Sequence, residues 1–395
     1  MGNLRVVFLA TALVFAATGA WAEPYLAAWK GVNCNACHVN QTGGYLRNDF
    51  GKNYGNTLQT FDWQGISEEA QKIQHNTPSF IAIGIDLHQG YQTTWNYRQP
   101  VAQNNSSFVQ GGPPPLSRQD FSFQVKANEV VSGVFTYRLD QGAAKEAYGL
   151  VSGLPAGGYI KFGNFMLPYG LNLSDDQSLI RAALEPASAT FTFDSPAVGA
   201  VEVGVYPDPV FVNLALTNGA PGPVTLPSGQ TVQNEKTISA KGGIHYSDFT
   251  LGGSFYGTNL DEPSGTDSTM PTSGVTLLYG AFGWGRIGPV VVLGEYDQGY
   301  YELSAPATTL QQDNVYVYHV SAEVDLGNSV YLRLTREWYN DNLQFNPLDE
   351  TRNVLTLRCY PVRNLKTQLD FVRTDPNGIS DQPNYTLLAD AFVFY

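Results

Sequence analysis

Ile81-Ala82-Ile83-Gly84-Ile85-Asp86-Leu87-His88 places a large aliphatic residue at every second position, with small, polar or charged residues between. Side chains along a strand point alternately to opposite faces. Ile81, Ile83, Ile85 and Leu87 therefore share one face, and Ala82, Gly84, Asp86 and His88 the other. The first face suits hydrocarbon and the second a polar lumen, the pattern of a strand in a transmembrane barrel. The scheme recurs at Phe121-Ser122-Phe123-Gln124-Val125-Lys126, across 315–325, at Tyr331-Leu332-Arg333-Leu334-Thr335-Arg336 and across 367–372. Counting such segments predicts about sixteen strands.

The connections carry a second signal. Tight turns are read at 127–129, 207–209, 246–248, 288–289, 326–328 and 362–364. Longer polar links, rich in Pro and Gly, are read at 93–116, 166–197, 218–235, 259–273, 300–313, 341–350 and 376–384. Short and long alternate, as when short turns face the periplasm and long loops face outside. The chain ends Ala391-Phe392-Val393-Phe394-Tyr395, an alternating strand with a terminal aromatic, as outer-membrane barrels end. The longest link, 166–197, follows the fifth strand and contains the pair Asp175-Asp176. In general porins the third outer loop folds into the pore from this position, and the same is expected here.

The expected fold class is thus all-β: a transmembrane antiparallel β-barrel of about 16 strands over 79–395. A short, mostly helical or irregular segment, 23–78, precedes it, with Ser67 to Ile73 reading as a helix capped by Ser67. Residues 1–22 read as an export signal: Arg5, an apolar stretch from Val6 to Ala17, and a small-x-small site at Ala20-Trp21-Ala22. No later segment approaches the roughly 18 consecutive apolar residues of a transmembrane helix. A content of 23 Tyr, 21 Phe and 40 Gly with 14% charged residues suits many alternating strands. The net charge of −13 argues against a nucleic-acid partner, which calls for a basic surface.

Cys34-Asn35-Ala36-Cys37-His38 is a C-x-x-C-H sequence, the attachment signature of c-type haem. Two thiols at this spacing reach the two vinyl groups of one porphyrin, and the adjacent imidazole offers itself to the iron. Cys34, Cys37 and His38 are therefore the candidate binding residues for one covalent haem c, with His38 as the metal ligand. A thioredoxin-type C-x-x-C wants a βαβ context, and a zinc site wants a second Cys/His cluster; neither pattern is in the sequence. Met166, His75, His88, His245 and His319 are candidates for the sixth iron position, and alternation points His88, His245 and His319 into the lumen. Cys359 alternates with Leu355 and Leu357 and reads as a small apolar filler on the lipid face. No hydrolase or phosphate-cradling signature occurs, so the haem iron would carry any catalysis.

The run from Cys34 to Gly44, followed by Arg47-Asn48 and Phe50-Gly51, resembles the fused monohaem cytochrome–porins of iron-oxidising and metal-respiring bacteria. Phe165-Met166-Leu167-Pro168-Tyr169-Gly170-Leu171 also looks like a segment of related barrels. The resemblance implies an outer-membrane protein that moves electrons between an extracellular donor, Fe(II) or another small species, and a periplasmic electron-carrier cytochrome. Some members are ferrous iron oxidases. Asp175 and Asp176 would then serve as a cation funnel. Two other readings stand beside this one: a barrel that scaffolds a separate periplasmic multihaem cytochrome, and a passive diffusion porin. Fold-level analogy adds the expectation of a homotrimer.

Overall fold

The computed structural model describes residues 24–42, 46–55, 57–58, 80–96, 105–108, 117–140, 142–171, 197–217, 224–225, 231–232, 236–260, 273–305, 308–341, 348–377 and 383–394. Sixteen antiparallel staves close on themselves. They are β1 (Ile81–Asn96), β2 in two pieces (Asn105–Phe108 and Ser117–Lys126), β3 (Val131–Arg138), β4 (Ala143–Leu154) and β5 (Gly158–Phe165). Next come β6 (Ala197–Val205), β7 (Val210–Thr217), β8 (Lys236–Tyr246), β9 (Phe249–Leu260), β10 (Ser273–Ile287) and β11 (Val290–Ala305). β12 (Thr308–Gly327), β13 (Val330–Asp341), β14 (Leu348–Val362), β15 (Leu365–Asn377) and β16 (Asn384–Phe394) complete the set. Closure is made by β1, which pairs with β2 on one side and with β16 on the other, from Asp86 opposite Phe394 to Asn96 opposite Asn384. A closed sheet leaves no edge, so the strands satisfy their backbone groups among themselves, as hydrocarbon demands.

Burial follows an inverted rule. Along β7, Val210, Val212, Leu214 and Leu216 are exposed while Phe211, Asn213, Ala215 and Thr217 are buried. Leu334, at 61%, and Leu251, at 57%, are among the most exposed large apolar residues. Meanwhile Lys161, Glu202 and Glu323 are wholly buried. In water such a distribution would be costly on both faces. It is stable where hydrocarbon covers the outside and charges pair within. No described helix is long and apolar enough to cross a membrane.

The read turns at 127–129, 207–209, 246–248, 288–289, 326–328 and 362–364 all fall at one end of the barrel, together with a three-residue turn at Pro155–Gly157. Three expected long links carry strand pairing. Asn105–Phe108 pairs with β1 within 93–116, and 224–225 pairs with 231–232 within 218–235. Residues 300–313 form most of a hairpin, with β11 reaching Ala305 and β12 starting at Thr308. Their polar composition reads as loop, but backbone pairing from Tyr300–Asn314 outward needs no apolar face. The expected helix at 67–73 lies outside the described residues.

The segment before β1 folds into the barrel. Helix α1 (Pro24–Lys30) leads to a 3-10 turn at Cys34–Ala36, then to an isolated antiparallel bridge between His38 and Arg47, and to helix α2 (Asp49–Gly55). Gly31, at φ +64°, lies so close to Ser247 in the β8–β9 turn that a Cβ would overlap its carbonyl oxygen. That approach sets the plug at the short-turn end.

Candidate functional site

The plug is bound to the lumen wall by polar contacts and by apolar clusters that its residues share with the strands. From α1, the Tyr25 hydroxyl lies 2.9 Å from Ser321 Oγ and 3.4 Å from His319 Nε2. Trp29 Nε1 donates to Glu323 Oε1 at 2.8 Å, and Arg286 donates to the Trp29 carbonyl at 2.6 Å. Arg358 donates to the same Glu323 oxygen at 2.6 Å, so a wholly buried carboxylate is held by a barrel cation and a plug indole. Beyond the haem motif, Asn40 donates to Glu146 at 3.1 Å and accepts from Lys161 Nζ at 3.0 Å. Lys161 also pairs with Glu202 at 3.0 Å, and Glu202 accepts from the Tyr159 hydroxyl, itself bonded to Asn213. From α2, Lys52 Nζ donates to the Ile83 carbonyl at 3.2 Å, and burial holds its ammonium below the ordinary lysine value while Asp49 opposes the shift. A buried charge is tolerated when paired and hydrogen-bonded. Lys161 with Glu202 and Arg358 with Glu323 are so paired, with Asn40 and Trp29 of the plug adding a bond to each pair in turn.

The link after β5 folds inward as expected, over 166–171. Tyr169 donates to Asp297, the Gly170 amide to Ser254 and the Leu171 amide to Glu295, while Ser239 donates to the Pro168 carbonyl. Tyr169 and Leu171 share an apolar cluster with Tyr25 and Ala28 of α1, so loop and plug meet inside the lumen. Asp175 and Asp176 lie outside the described residues.

The haem motif occupies the turn between α1 and the bridge. Cys34 begins the 3-10 turn, Cys37 is half-buried, and His38 is 4% exposed. Beside it opens a cavity of about 600 Å³, lined by Asn35, His38, Asn48, Phe80, Val131 and Leu150 among others. Small-molecule and cofactor sites commonly span roughly 300–1,000 Å³. A buried imidazole between two cysteines' turn and a mixed apolar–polar cavity of that size fits a covalently attached haem: Cys34 and Cys37 would hold it and His38 would ligate its iron. Among the described residues no group of three or more His, Cys, Asp or Glu could hold a bare metal ion.

The candidates for the sixth position are scattered. His88 stacks on Phe392 at 3.7 Å and faces Asp390 at 3.3 Å, and His319 pairs with Glu337 at 2.9 Å. Both point into the lumen, as alternation predicted, and both are engaged in barrel networks. Two lie nearer the motif in the contact network. His245 bonds to Thr250 at 2.8 Å and reaches the backbone of Gly31, three residues before Cys34. Met166 gives its amide to Glu146, which Asn40 also binds, two residues after His38. His75 lies outside the described residues. Sequence reasoning passed over Lys161, Glu202 and Trp29, and named Asn48 only within a resemblance, with no task of its own. Lys161 and Glu202 carried a readable signal, as charges on the inward face of alternating strands.

Comparison with solved structures places this architecture. The barrel superposes on an anion-selective porin from Comamonas acidovorans with a TM-score of 0.61 at 9% identity, covering 80% of this chain and 99% of that one. OmpT of Vibrio cholerae matches with a TM-score of 0.57 at 10% identity, over 80% and 97% of the two chains. The fold is a porin-type barrel. The outer-membrane channel DcaP of Acinetobacter baumannii shares it at a TM-score of 0.55 and 9% identity, over 80% and 97%. At these identities the likeness concerns the fold alone. No protein-family model and no curated protein sequence matches the chain.

Proposed function

We propose that this chain is an outer-membrane electron-transfer protein, a porin-type barrel closed at its periplasmic end by its own haem-bearing N-terminal segment. The observation that carries this reading is the position of C-x-x-C-H: at the short-turn mouth of the barrel, next to a cavity of cofactor size, in a segment anchored to the wall. Lipid and strands do not conduct, so a redox centre has to lie within the barrel's length, and the plug supplies the place for one. When bound, the haem would supply one-electron chemistry at an iron whose potential follows its axial ligands and exposure. The chain's own part is to hold and orient. Cys34 and Cys37 would tether and His38 would ligate, while Asn40 and Trp29 anchor the segment on both sides and Tyr169 and Leu171 pack on α1.

The donor would be Fe(II) or another small extracellular species, and the acceptor a periplasmic cytochrome docking at the short-turn end. Export by residues 1–22 supports haem attachment outside the cytoplasm. A homotrimer is part of the proposal, since one OmpT structure of Vibrio cholerae is described as a trimer form. Passive diffusion is disfavoured by wall charges that are buried and ion-paired where the plug seats. The test is an absorption spectrum of protein purified from a host able to mature c-type cytochromes. The wild type is expected to show covalent haem and Cys34→Ala/Cys37→Ala to be colourless. Colourless wild-type protein with both thiols open to alkylation would end the redox reading and leave a plugged barrel.

A further inference from the structure

We infer that Asn48 is the positioning residue for His38: one side-chain amide ties the carbonyls of the motif turn to the first turn of α2. The inference rests on the haem reading for its consequence, while its geometry stands independently.

Asn48 immediately precedes α2 and acts as its N-cap. Its Oδ1 accepts from the Gly51 amide at 2.9 Å, the third helical residue, where a capping side chain finds an orphan donor. That bond leaves the amide nitrogen facing the opposite way. Nδ2 lies 3.0 Å from the Ala36 carbonyl, 3.3 Å from Asn35's and 3.4 Å from His38's. Two N–H donors therefore serve three carbonyls of the segment Asn35–His38. The backbone completes the clamp: the Asn48 amide donates to Cys37 and the Val39 amide to Leu46, both at 3.0 Å. Packing closes it from the other side. Gly51 lies so close to Cys37 that a Cβ would overlap its carbonyl oxygen. The residue before His38 and the carbonyl of His38 itself are thus fixed against α2. Through them the direction of the His38 ring is fixed as well. The amide performs both tasks with separate atoms, an oxygen that accepts from α2 and two N–H donors for the motif turn.

Asn48→Asp separates the two tasks. Aspartate caps a helix as well as asparagine does, but it turns a carboxylate towards three carbonyl oxygens. Asn48→Ser, which keeps a cap and replaces the two N–H donors with a single hydroxyl on a shorter side chain, guards against a misfolded aspartate variant. Asn53→Asp, at an exposed position of the same helix, controls for the added charge.

Two measurements on the full-length protein test the inference. In hydrogen exchange, Asn48→Asp and Asn48→Ser are expected to speed the Ala36 and Val39 amides about tenfold, the effect of losing about 1.4 kcal/mol of clamp. The Lys52 amide of α2 should exchange at its wild-type rate. Unchanged exchange at Ala36 and Val39, or equal acceleration through α2, would overturn the clamp. In haem-loaded protein, both variants should shift the reduction potential and the axial-ligand absorption bands, with Asn53→Asp at wild-type values. A potential that moves equally in Asn53→Asp would reduce the role to charge and refute positioning. Wild-type protein lacking haem would defeat the function proposed above and the consequence for His38, while the exchange result would still decide the clamp.

Discussion

Replacing Lys161 by Met should loosen the plug by an amount that can be worked from its contacts. Lys161 Nζ is wholly buried, 3.0 Å from Glu202 and 3.0 Å from Asn40, and lies 4.3 Å above the Phe165 ring. Methionine keeps the volume and the contact with Phe165 but removes the cation. Losing the bond to Asn40 costs about 1 kcal/mol of docking directly. Glu202 is then left wholly buried without its cation, a situation worth ~3–5 kcal/mol. Undocking would admit water and relieve most of that penalty, so the stranded carboxylate pushes the plug outward. At ~3 kcal/mol for the two effects together, the undocked population rises more than a hundredfold. Single-channel recording in planar bilayers should show long open events in Lys161→Met that wild type lacks, and protease should cut the segment 24–58 faster. Lys161→Met/Glu202→Gln removes the stranded charge and should recover most of the closure. If Lys161→Met closes like wild type, or the double variant is as open as the single, the reasoning about buried pairing fails.

Two further outcomes follow from the anchoring and from the outward face. Trp29→Phe deletes the indole donor to Glu323 while Arg358 still holds that carboxylate, so docking should weaken by only about 1 kcal/mol, read as a roughly fivefold rise in protease cleavage of the plug. Leu334→Arg places a charge at a highly exposed outward position of β13 and should destabilise the barrel by ~2–4 kcal/mol if that position lies near the bilayer midplane, measured by denaturant titration in lipid vesicles; Leu334→Ala should cost far less.

The barrel was legible in the sequence because alternation is a local property. Ile81 to His88 can be assigned to faces without knowing any partner strand, and Cys359 sits beside Leu355 and Leu357 on the outward face as read, its thiol 2.9 Å from the Thr367 hydroxyl. Turn chemistry at Gly288-Pro289 or Asn364 is equally local. The hairpin at 300–313 escaped because backbone pairing there is not accompanied by an apolar face. The haem motif was legible as five adjacent residues, but its surroundings were not. Asn40 meets Glu146 across 106 positions and Lys161 across 121, and Trp29 meets Glu323 across 294. No spacing rule in the chain relates such residues, and only closure of the barrel brings them together. Asn48 was quoted as part of a resemblance, yet its task emerges only from the three carbonyls around it.

The seating of residues 24–58 within a closed ring of strands has a consequence for the order of events in the cell. A sheet without an edge offers no side door, and the inward-folded 166–171 stretch packs on α1 from the long-loop side. Whatever is joined to Cys34 and Cys37 once the barrel has closed would have to reach them through the short-turn end, whereas joining to the unfolded thread in the periplasm meets no such restriction. Attachment before insertion into the membrane would then be the less obstructed order.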